Sequence, residues 1–177
     1  PCNKCDQCIS ITKGTNLDVI ELDAASHRGI DDVRALREGV SLATSKAKRK
    51  IYIIDEAHML TTEASNALLK TLEEPPVHVM FILATTNPEK LIETIKSRAT
   101  SIFFEKAKPD EIVRALKRVV SGEKLKVESG TLEAIAEACD GSFREGMKIL
   151  EQLVAEGVKL EVDVVEEFLF KKKAFDT

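Results

Sequence analysis

The sequence contains no Trp and few aromatic residues, which make up only 5% of its 177 residues. Aliphatic side chains must therefore fill the core, and 44% hydrophobic residues are enough for one or two domains. No apolar run is long enough to span a membrane, and no signal peptide is recognisable. The net charge of −4 argues against a broadly basic surface for nucleic acid, although it leaves room for a local basic patch.

Cysteine is also scarce, and three of the four cysteines stand together as C-x-x-C-x-x-C at Cys2, Cys5 and Cys8. This spacing lets thiolates converge on one structural zinc, which takes four ligands. We expect the fourth ligand to lie before Pro1, or to be water or a nearby residue. Free thiols or a disulfide are the alternatives. Cys139 lies on the apolar face of a predicted helix, where a buried, inert thiol is expected.

The stretch from Ile51 to Ile54 is an apolar run rich in β-branched residues and too short for a helix. It predicts a strand buried on both faces of a parallel sheet. Asp55 and Glu56 follow directly, at the sheet edge where ligands bind in α/β folds. An acidic pair there suggests Mg²⁺ coordination by Asp55 and activation of a water molecule. The alternative is a solvated acidic loop.

A second buried strand ends in polar residues, among them Thr86 and Asn87. If the two strands are neighbours, these groups and the acidic pair surround one point, which suits a phosphate, Mg²⁺ and water. Ordinary turn chemistry before Pro88 is the alternative. In all, the pattern predicts strands at Asp18–Leu22, Ile51–Ile54, Val79–Ala84 and Thr100–Phe104, with helices opening at Asp31–Asp32, at Thr61 or Thr62, and around Glu89–Lys96.

From Pro109 onward, only helical periodicity is present, so we place a domain boundary between residues 107 and 108. Gly141 ends one predicted helix, and Ser142 to Glu145 begins the next as a capping box. Arg144 lies in that first turn, where the helix dipole disfavours a cation. It either binds an anion or is an ordinary surface arginine.

Six motifs follow one another along the chain: the cysteine cluster, Asp55-Glu-Ala-His58, Asn66-Ala-Leu-Leu-Lys-Thr-Leu-Glu-Glu-Pro-Pro76, Leu83-Ala-Thr-Thr-Asn87, Ser97-Arg98 and Gly141-Ser-Phe-Arg144. Together they resemble the bacterial clamp-loader ATPases of the AAA+ class, the gamma/tau subunits of DNA polymerase III, and the resemblance covers nearly the whole chain. It implies an α/β fold, with a parallel sheet and flanking helices (part of a P-loop NTPase core) in residues 1–107 and a small all-α lid domain in 108–177. The last residues, 171–177, are expected to begin a collar domain.

The resemblance also implies roles for individual residues. Asp55 would hold Mg²⁺, Glu56 would polarise the attacking water, and Thr86 would be a sensor with Asn87 beside it. Arg98 would be an arginine finger acting on a neighbouring subunit's ATP, although Ala99 replaces the family's cysteine. Arg144 would be a second sensor contacting the γ-phosphate, and Arg28 and Arg34 would contact DNA phosphates.

The implied cofactors are structural zinc and, in the intact protein, ATP and Mg²⁺. The implied partners are other clamp-loader subunits, the sliding clamp, primer–template DNA and the polymerase. The implied location is the cytoplasm, at the replisome and nucleoid, and no membrane is implied as a partner. One family feature is missing, because the sequence has no Gly-x-x-x-x-Gly-Lys-Ser/Thr loop. We therefore expect a piece of a longer protein that does not hydrolyse ATP alone.

Three alternatives remain at this point. The delta-prime subunit shares the cysteines and the Asn66–Pro76 motif, but its acidic pair is usually degenerate, whereas Asp55 and Glu56 are intact here. A DEAH-type helicase would account for Asp55 to His58 but requires further motifs that are not found. A non-catalytic zinc interaction module would leave the ordered series of Thr86, Arg98 and Arg144 unexplained.

Overall fold

The computed structural model describes residues 1–175, and for residues 172–175 it describes the backbone only. The chain divides into two compact units, Pro1–Ile102 and Phe103–Thr177. The first unit is α/β and the second is all-helical. The domain boundary predicted between residues 107 and 108 remains a prediction.

A three-stranded parallel sheet organises the first unit. Its strands are β1 (Val19–Asp23), β2 (Lys50–Asp55) and β3 (Val79–Leu83), in the order β1-β2-β3. Ile54 lies opposite Leu22 on one side and Leu83 on the other. The predicted strands at residues 18–22, 51–54 and 79–84 are thus confirmed to within one residue at each end.

The helices of this unit are α1 (Asp6–Thr12), α2 (Ile30–Val40), α3 (Thr62–Glu73) and α4 (Glu93–Lys96), with 3₁₀ turns at Ala57–Met59 and Pro88–Lys90. Of these, α2 and α3 contribute apolar side chains to the core that includes the sheet. Thr61 caps α3 by accepting a hydrogen bond from the backbone N–H of Ala64 at 3.2 Å. The helix ends at Glu73, before Pro75, because proline cannot continue its hydrogen-bond ladder. The buried core of this unit includes Val33, Leu36, Val40, Tyr52, Ile54, Ala64 and Leu68.

Asp18 anchors the loop that leads into the central strand. Its side chain is buried, and its two carboxylate oxygens accept backbone N–H bonds from Ser45, Lys46 and Ala47 at 2.7 to 2.8 Å. These bonds, led by that from Lys46, hold the pKa of Asp18 below its ordinary value, although burial opposes them. The sequence pattern assigned Asp18 only to a strand and did not reveal this anchoring role.

Four helices form the second unit: α5 (Pro109–Gly122), α6 (Thr131–Ala138), α7 (Phe143–Ala155) and α8 (Val162–Phe175). Cys139 is 3% exposed in their shared core, and its thiol donates to the carbonyl of Ile135 at 2.8 Å. Its predicted burial is therefore confirmed. The other core side chains are Ile112, Val113, Leu116, Leu132, Ile135, Ala136, Ile149, Leu150, Leu153, Leu160, Val165 and Leu169.

The turn between α6 and α7 requires glycine at residue 141. Gly141 has a φ of +78°, and a Cβ there would lie 2.6 Å from the Cβ of Lys106. The Gly141 carbonyl also accepts the backbone N–H of Ala107 at 3.1 Å, which fixes this approach. Ser142 then caps α7 by accepting the N–H of Glu145, as predicted.

The predicted strand at Thr100–Phe104 is wrong, because the structure has no strand there. Ile102, Phe103 and Phe104 are 74%, 81% and 92% exposed. Local apolar and β-branched residues give a propensity for a strand, but a strand forms only when a neighbour completes its hydrogen-bond ladder. Among the described residues, β3 is hydrogen-bonded to β2 alone.

The C-terminal segment and the possibility of a membrane span were also considered from the sequence. The segment 171–177 was predicted to begin a collar domain. Residues 171–175 form the end of α8, and residues 176 and 177 lie outside the described part of the chain. Within that part, no helix combines the length and apolar character needed to cross a membrane.

Candidate nucleotide site at the carboxyl edge of the sheet

Backbone hydrogen bonds continue past the ends of the strands and join the loops that carry the polar residues. The N–H of Ala84 donates to Ile54, and the N–H of Ala57 donates to Ala84, both at 2.9 Å. On the other side, the N–H of Ala24 donates to the carbonyl of Asp55 at 2.9 Å. The loops after all three strands therefore meet at one edge, where α/β sheets bind ligands.

Glu56 and Thr86 are in direct contact at this edge. The hydroxyl of Thr86 lies 3.0 Å from Oε2 and 3.3 Å from Oε1 of Glu56, and the Thr86 backbone N–H donates to Oε2 at 3.2 Å. Glu56 has a φ of +48°, in the left-handed region of backbone conformation that residues other than glycine rarely adopt. Strained residues of this kind concentrate at functional sites because the surrounding structure must hold them in place.

Asp55 ends β2 with an exposed side chain directly beside this contact. Its Oδ1 accepts the backbone N–H of Glu56 at 3.0 Å, which fixes one rotamer of the carboxylate. Asp23 lies opposite Asp55 in the sheet register, so two acids end neighbouring strands. The N–H of Ala25 and the hydroxyl of Ser26 lower the pKa of Asp23. An exposed carboxylate held in this way is a suitable oxygen ligand for Mg²⁺.

Asn87 lies in the same loop as Thr86, and its contacts stabilise the turn that follows. Its backbone N–H donates to the hydroxyl oxygen of Thr85 at 3.1 Å, and its carbonyl accepts the N–H of Lys90 at 3.1 Å. The residue is the N-cap of the 3₁₀ turn that begins at Pro88. The observed contacts are those of turn chemistry, and a contact between Asn87 and a cofactor remains a prediction.

Arg98 lies just beyond α4 and contacts residues of α3 and α4. Its Nη2 lies 2.6 Å from Oε1 of Glu73, the last residue of α3. Its Nη1 donates to the carbonyl of Thr94 at 2.8 Å. The guanidinium is thus held by its own chain at a surface position, with the side chain 33% exposed.

The remaining predicted arginines are exposed. Arg28 precedes α2, and Arg34 lies within it, where its Nη1 pairs with Oδ1 of Asp31 at 2.9 Å. Arg144 lies in the first turn of α7, in the second unit. The structure therefore brings Asp55, Glu56 and Thr86 together, and it leaves the roles of the three arginines as predictions.

The three N-terminal cysteines converge as the spacing predicts. Their sulfur atoms all lie within 4.8 Å of one another, and the Sγ atoms of Cys2 and Cys8 are 3.8 Å apart. Zn–S bonds of about 2.3 Å in a tetrahedron place two sulfurs ~3.8 Å apart, so the cluster fits zinc. Backbone N–H groups of Lys4 and Cys5 lower the pKa of Cys2 to about 7, which favours the thiolate form that metals bind.

Two residues that contact predicted site residues or their loop were not singled out from the sequence. His58 was noted only as part of the Asp-Glu-Ala-His motif, yet its Nδ1 lies 2.8 Å from Thr85 Oγ1 and 3.2 Å from Glu56 Oε2. Glu73, the partner of Arg98, was noted only within the Asn66–Pro76 motif. For His58, the sequence did contain a signal: the adjacent Thr85 and Thr86 place two hydroxyl groups at the end of one strand, and each can contact a different polar side chain.

Solved structures share this fold. RuvB from Thermotoga maritima, a Holliday junction branch migration motor, matches 90% of this chain and 54% of its own with a TM-score of 0.69 at 20% identity. A DNA polymerase III gamma subunit-related protein from Thermotoga maritima matches 88% of this chain and 58% of its own, with a TM-score of 0.52 at 22% identity. At such identities the likeness speaks for the fold alone, and it confirms the predicted α/β part with a parallel sheet, followed by an all-helical part.

Sequence relatives are more similar. The tau subunit of DNA polymerase III from Bacillus subtilis is 49% identical over 88% of this chain, and that from Escherichia coli K12 is 41% identical over 89%. The chain spans 28% and 24% of the length of these relatives.

Family models cover most of the chain. The model described as "DNA polymerase III, delta subunit" matches residues 1–108, and "DNA polymerase III clamp loader subunit, ATPase lid domain" matches residues 111–159. Together with the tau relatives, these matches agree with the motifs of the sequence. The chain belongs to the clamp-loader ATPase family of DNA polymerase III, among its gamma/tau subunits.

Proposed function

We propose that this chain is part of a clamp-loader subunit that uses ATP, within an oligomer, to load the sliding clamp onto primed DNA. The observation that carries the proposal is the Glu56–Thr86 contact at the carboxyl edge of the sheet, next to Asp55. The partners are then other clamp-loader subunits, the clamp, primer–template DNA and the polymerase. A cytoplasmic location at the replisome and nucleoid follows from this role in bacterial replication.

Each residue at the edge has a distinct task in this proposal. Asp55 offers an exposed carboxylate oxygen to Mg²⁺, which when bound neutralises phosphate charge. Glu56 accepts a hydrogen bond from the attacking water and so polarises it. Thr86, whose hydroxyl contacts Glu56, senses the terminal phosphate, and Asn87 holds the turn that carries Thr86.

Two arginines complete the site from outside this edge. Arg98 acts in trans, as an arginine finger on the ATP of a neighbouring subunit, and its surface position supports this assignment. Arg144 acts from the lid as a second sensor of the γ-phosphate. The match of residues 111–159 to an ATPase lid domain supports that role and a domain boundary near residue 107.

The cysteine cluster is proposed to bind one structural zinc through Cys2, Cys5 and Cys8. The sulfur separations and the lowered pKa of Cys2 support this assignment. Arg28 and Arg34, exposed around the start of α2, are proposed to contact DNA phosphates. Because these 177 residues include no phosphate-binding loop, they are not expected to hydrolyse ATP alone.

The test is Glu56→Gln in the intact protein assembled with its partner subunits. Glutamine keeps the size of the side chain but removes the charge that polarises water. We therefore expect unchanged ATP binding and a loss of hydrolysis of about 10²-fold or more. Glu63→Gln, at an exposed position in the first turn of α3, is the matched control and should hydrolyse ATP normally. Normal hydrolysis by Glu56→Gln would refute the proposal.

One alternative retains support, because the family model for residues 1–108 is described as a delta subunit. In this second reading, the chain forms a non-hydrolysing subunit that supplies Arg98 to its neighbour. The intact Asp55–Glu56 pair favours the first reading. Loss of hydrolysis on Arg98→Ala with no effect of Glu56→Gln would favour the second.

A further inference from the structure

His58 lies between the two loops that carry the proposed catalytic residues. Its side chain is only 7% exposed, in contrast to the exposed Asp55 and Thr86. Nδ1 lies 2.8 Å from Oγ1 of Thr85 and 3.2 Å from Oε2 of Glu56. The imidazole therefore joins the loop after β2 to the loop after β3 through side chains.

These contacts assign the proton on the ring. A lone pair on Nδ1 facing a carboxylate oxygen at 3.2 Å would be repelled, whereas an N–H there is attracted. Thr85 Oγ1 already accepts the backbone N–H of Asn87, so it can serve as a second acceptor beside Glu56. The partners thus place a hydrogen on Nδ1 of His58, which bonds to the Thr85 hydroxyl oxygen and faces the nearby Glu56 carboxylate.

The two oxygens of Glu56 are held unequally. Oε2 accepts the backbone N–H of Thr86 at 3.2 Å and the Thr86 hydroxyl at 3.0 Å, and Nδ1 of His58 lies 3.2 Å from the same oxygen. Within the described part of the chain, the contact found for Oε1 is the longer one with the Thr86 hydroxyl, at 3.3 Å. The closer surroundings of Oε2 restrain the carboxylate rotamer and leave Oε1 to accept a hydrogen bond from water.

We propose that His58 is a positioning residue, which orients Glu56 through Nδ1–H so that Oε1 faces the attacking water. The proposal rests on the role of Glu56 given above and adds a residue that acts through it. Orientation matters here because a carboxylate displaced by about 1 Å can lose ~10²-fold in rate.

The experiment compares two amides at residue 58 in the intact protein assembled with its partner subunits. In His58→Asn, the amide nitrogen takes the place of Nδ1 and keeps the donor. In His58→Gln, the longer side chain carries its amide to the place of Nε2 and loses that donor. We expect His58→Gln to lower kcat for ATP hydrolysis about 10- to 100-fold with KM unchanged, and His58→Asn to retain most of kcat.

A double variant separates positioning from a structural role. If His58 acts through Glu56, adding His58→Gln to Glu56→Gln causes no further loss of hydrolysis. His78→Gln, at a half-buried histidine whose Nε2 contacts the carbonyl of Leu42, is the matched control and should leave kcat unchanged. Thermal unfolding and ATP binding of each variant establish that it is folded.

Three outcomes would overturn the inference: normal kcat in folded His58→Gln, equal losses in His58→Asn and His58→Gln, or further loss in the double variant. Normal hydrolysis by Glu56→Gln alone would instead refute the proposed function. The failure of one is thereby distinguishable from the failure of the other.

Discussion

Arg98 is paired with Glu73 in its own chain, with 2.6 Å between Nη2 and Oε1. The pair joins the last residue of α3 to Arg98, two residues beyond the end of α4, and the side chains of Arg98 and Glu73 are 33% and 48% exposed. An ion pair this open to water stabilises a fold by only about 0–1 kcal/mol. The pair therefore contributes little to the stability of the fold, whereas an arginine that acts on a neighbour's phosphate contributes strongly to the rate of hydrolysis.

Arg98→Ala should separate these two effects. We expect a change in the free energy of unfolding below about 1 kcal/mol. In the assembled clamp loader, hydrolysis should fall by about 10³-fold or more, because the transition-state charge loses its partner. Arg114→Ala, which removes surface contacts with Asp110 and Glu111, is the control and should leave hydrolysis intact. Equal activity in both variants would contradict a role in trans.

Asp18 should make the first unit sensitive to acid. Its pKa is lowered in the folded chain, so the unfolded chain binds the proton more readily. The stability it contributes is present above its ordinary pKa of about 4 and is lost as the pH falls through the lower folded value. Asp18→Asn should cost about 2–4 kcal/mol at pH 7 and flatten the acid limb of the stability curve.

Fluorescence of Tyr52, the chain's single tyrosine, can follow this transition because the ring is buried in the first unit. The control is Asp31→Asn, which removes a carboxylate that is 90% exposed. It should change stability by less than about 1 kcal/mol. An unaltered acid limb in Asp18→Asn would show that the three backbone bonds of Asp18 contribute nothing.

Metal content should depend on the clustered cysteines and not on the buried one. We expect about one zinc per chain, lost in Cys8→Ser and retained in Cys139→Ser, as measured by elemental analysis. Because the pKa of Cys2 is about 7, protons compete with the metal, and zinc affinity should fall as the pH drops from about 8 to about 6. Zinc-free protein at pH 8 would contradict the assignment.

Replacing Gly141 with alanine should lower the free energy of unfolding more than the same replacement at Gly157. Gly157 also has a positive φ, of +67°, but nothing lies within 4 Å of its added Cβ. Gly157→Ala should therefore cost about 1–2 kcal/mol from backbone conformation alone. Gly141→Ala adds the clash with Lys106 and should cost about 2–4 kcal/mol. Circular dichroism during denaturation compares them, and equal costs would mean that the turn relaxes freely.

The sequence by itself determined most of the local structure. Apolar runs predict β2 and β3, and the periodicity of residues 112–120 predicts α5. The helix α3 begins after its polar cap, Thr61, and ends before the two prolines that follow it. These features depend on residues within one or two turns of each other. The acidic pair at the end of β2 was predictable for the same reason, since strand direction alone places it at the sheet edge.

Tertiary structure decided which side chains meet. Glu56 contacts Thr86, and His58 contacts Thr85, across 30 and 27 residues of chain. Both contacts follow from the register that sets Ile54 opposite Leu83, which no local pattern specifies. The same reason explains the failed strand at residues 100–104: its residues favour an extended backbone, but only a hydrogen-bonded neighbour turns that preference into a strand.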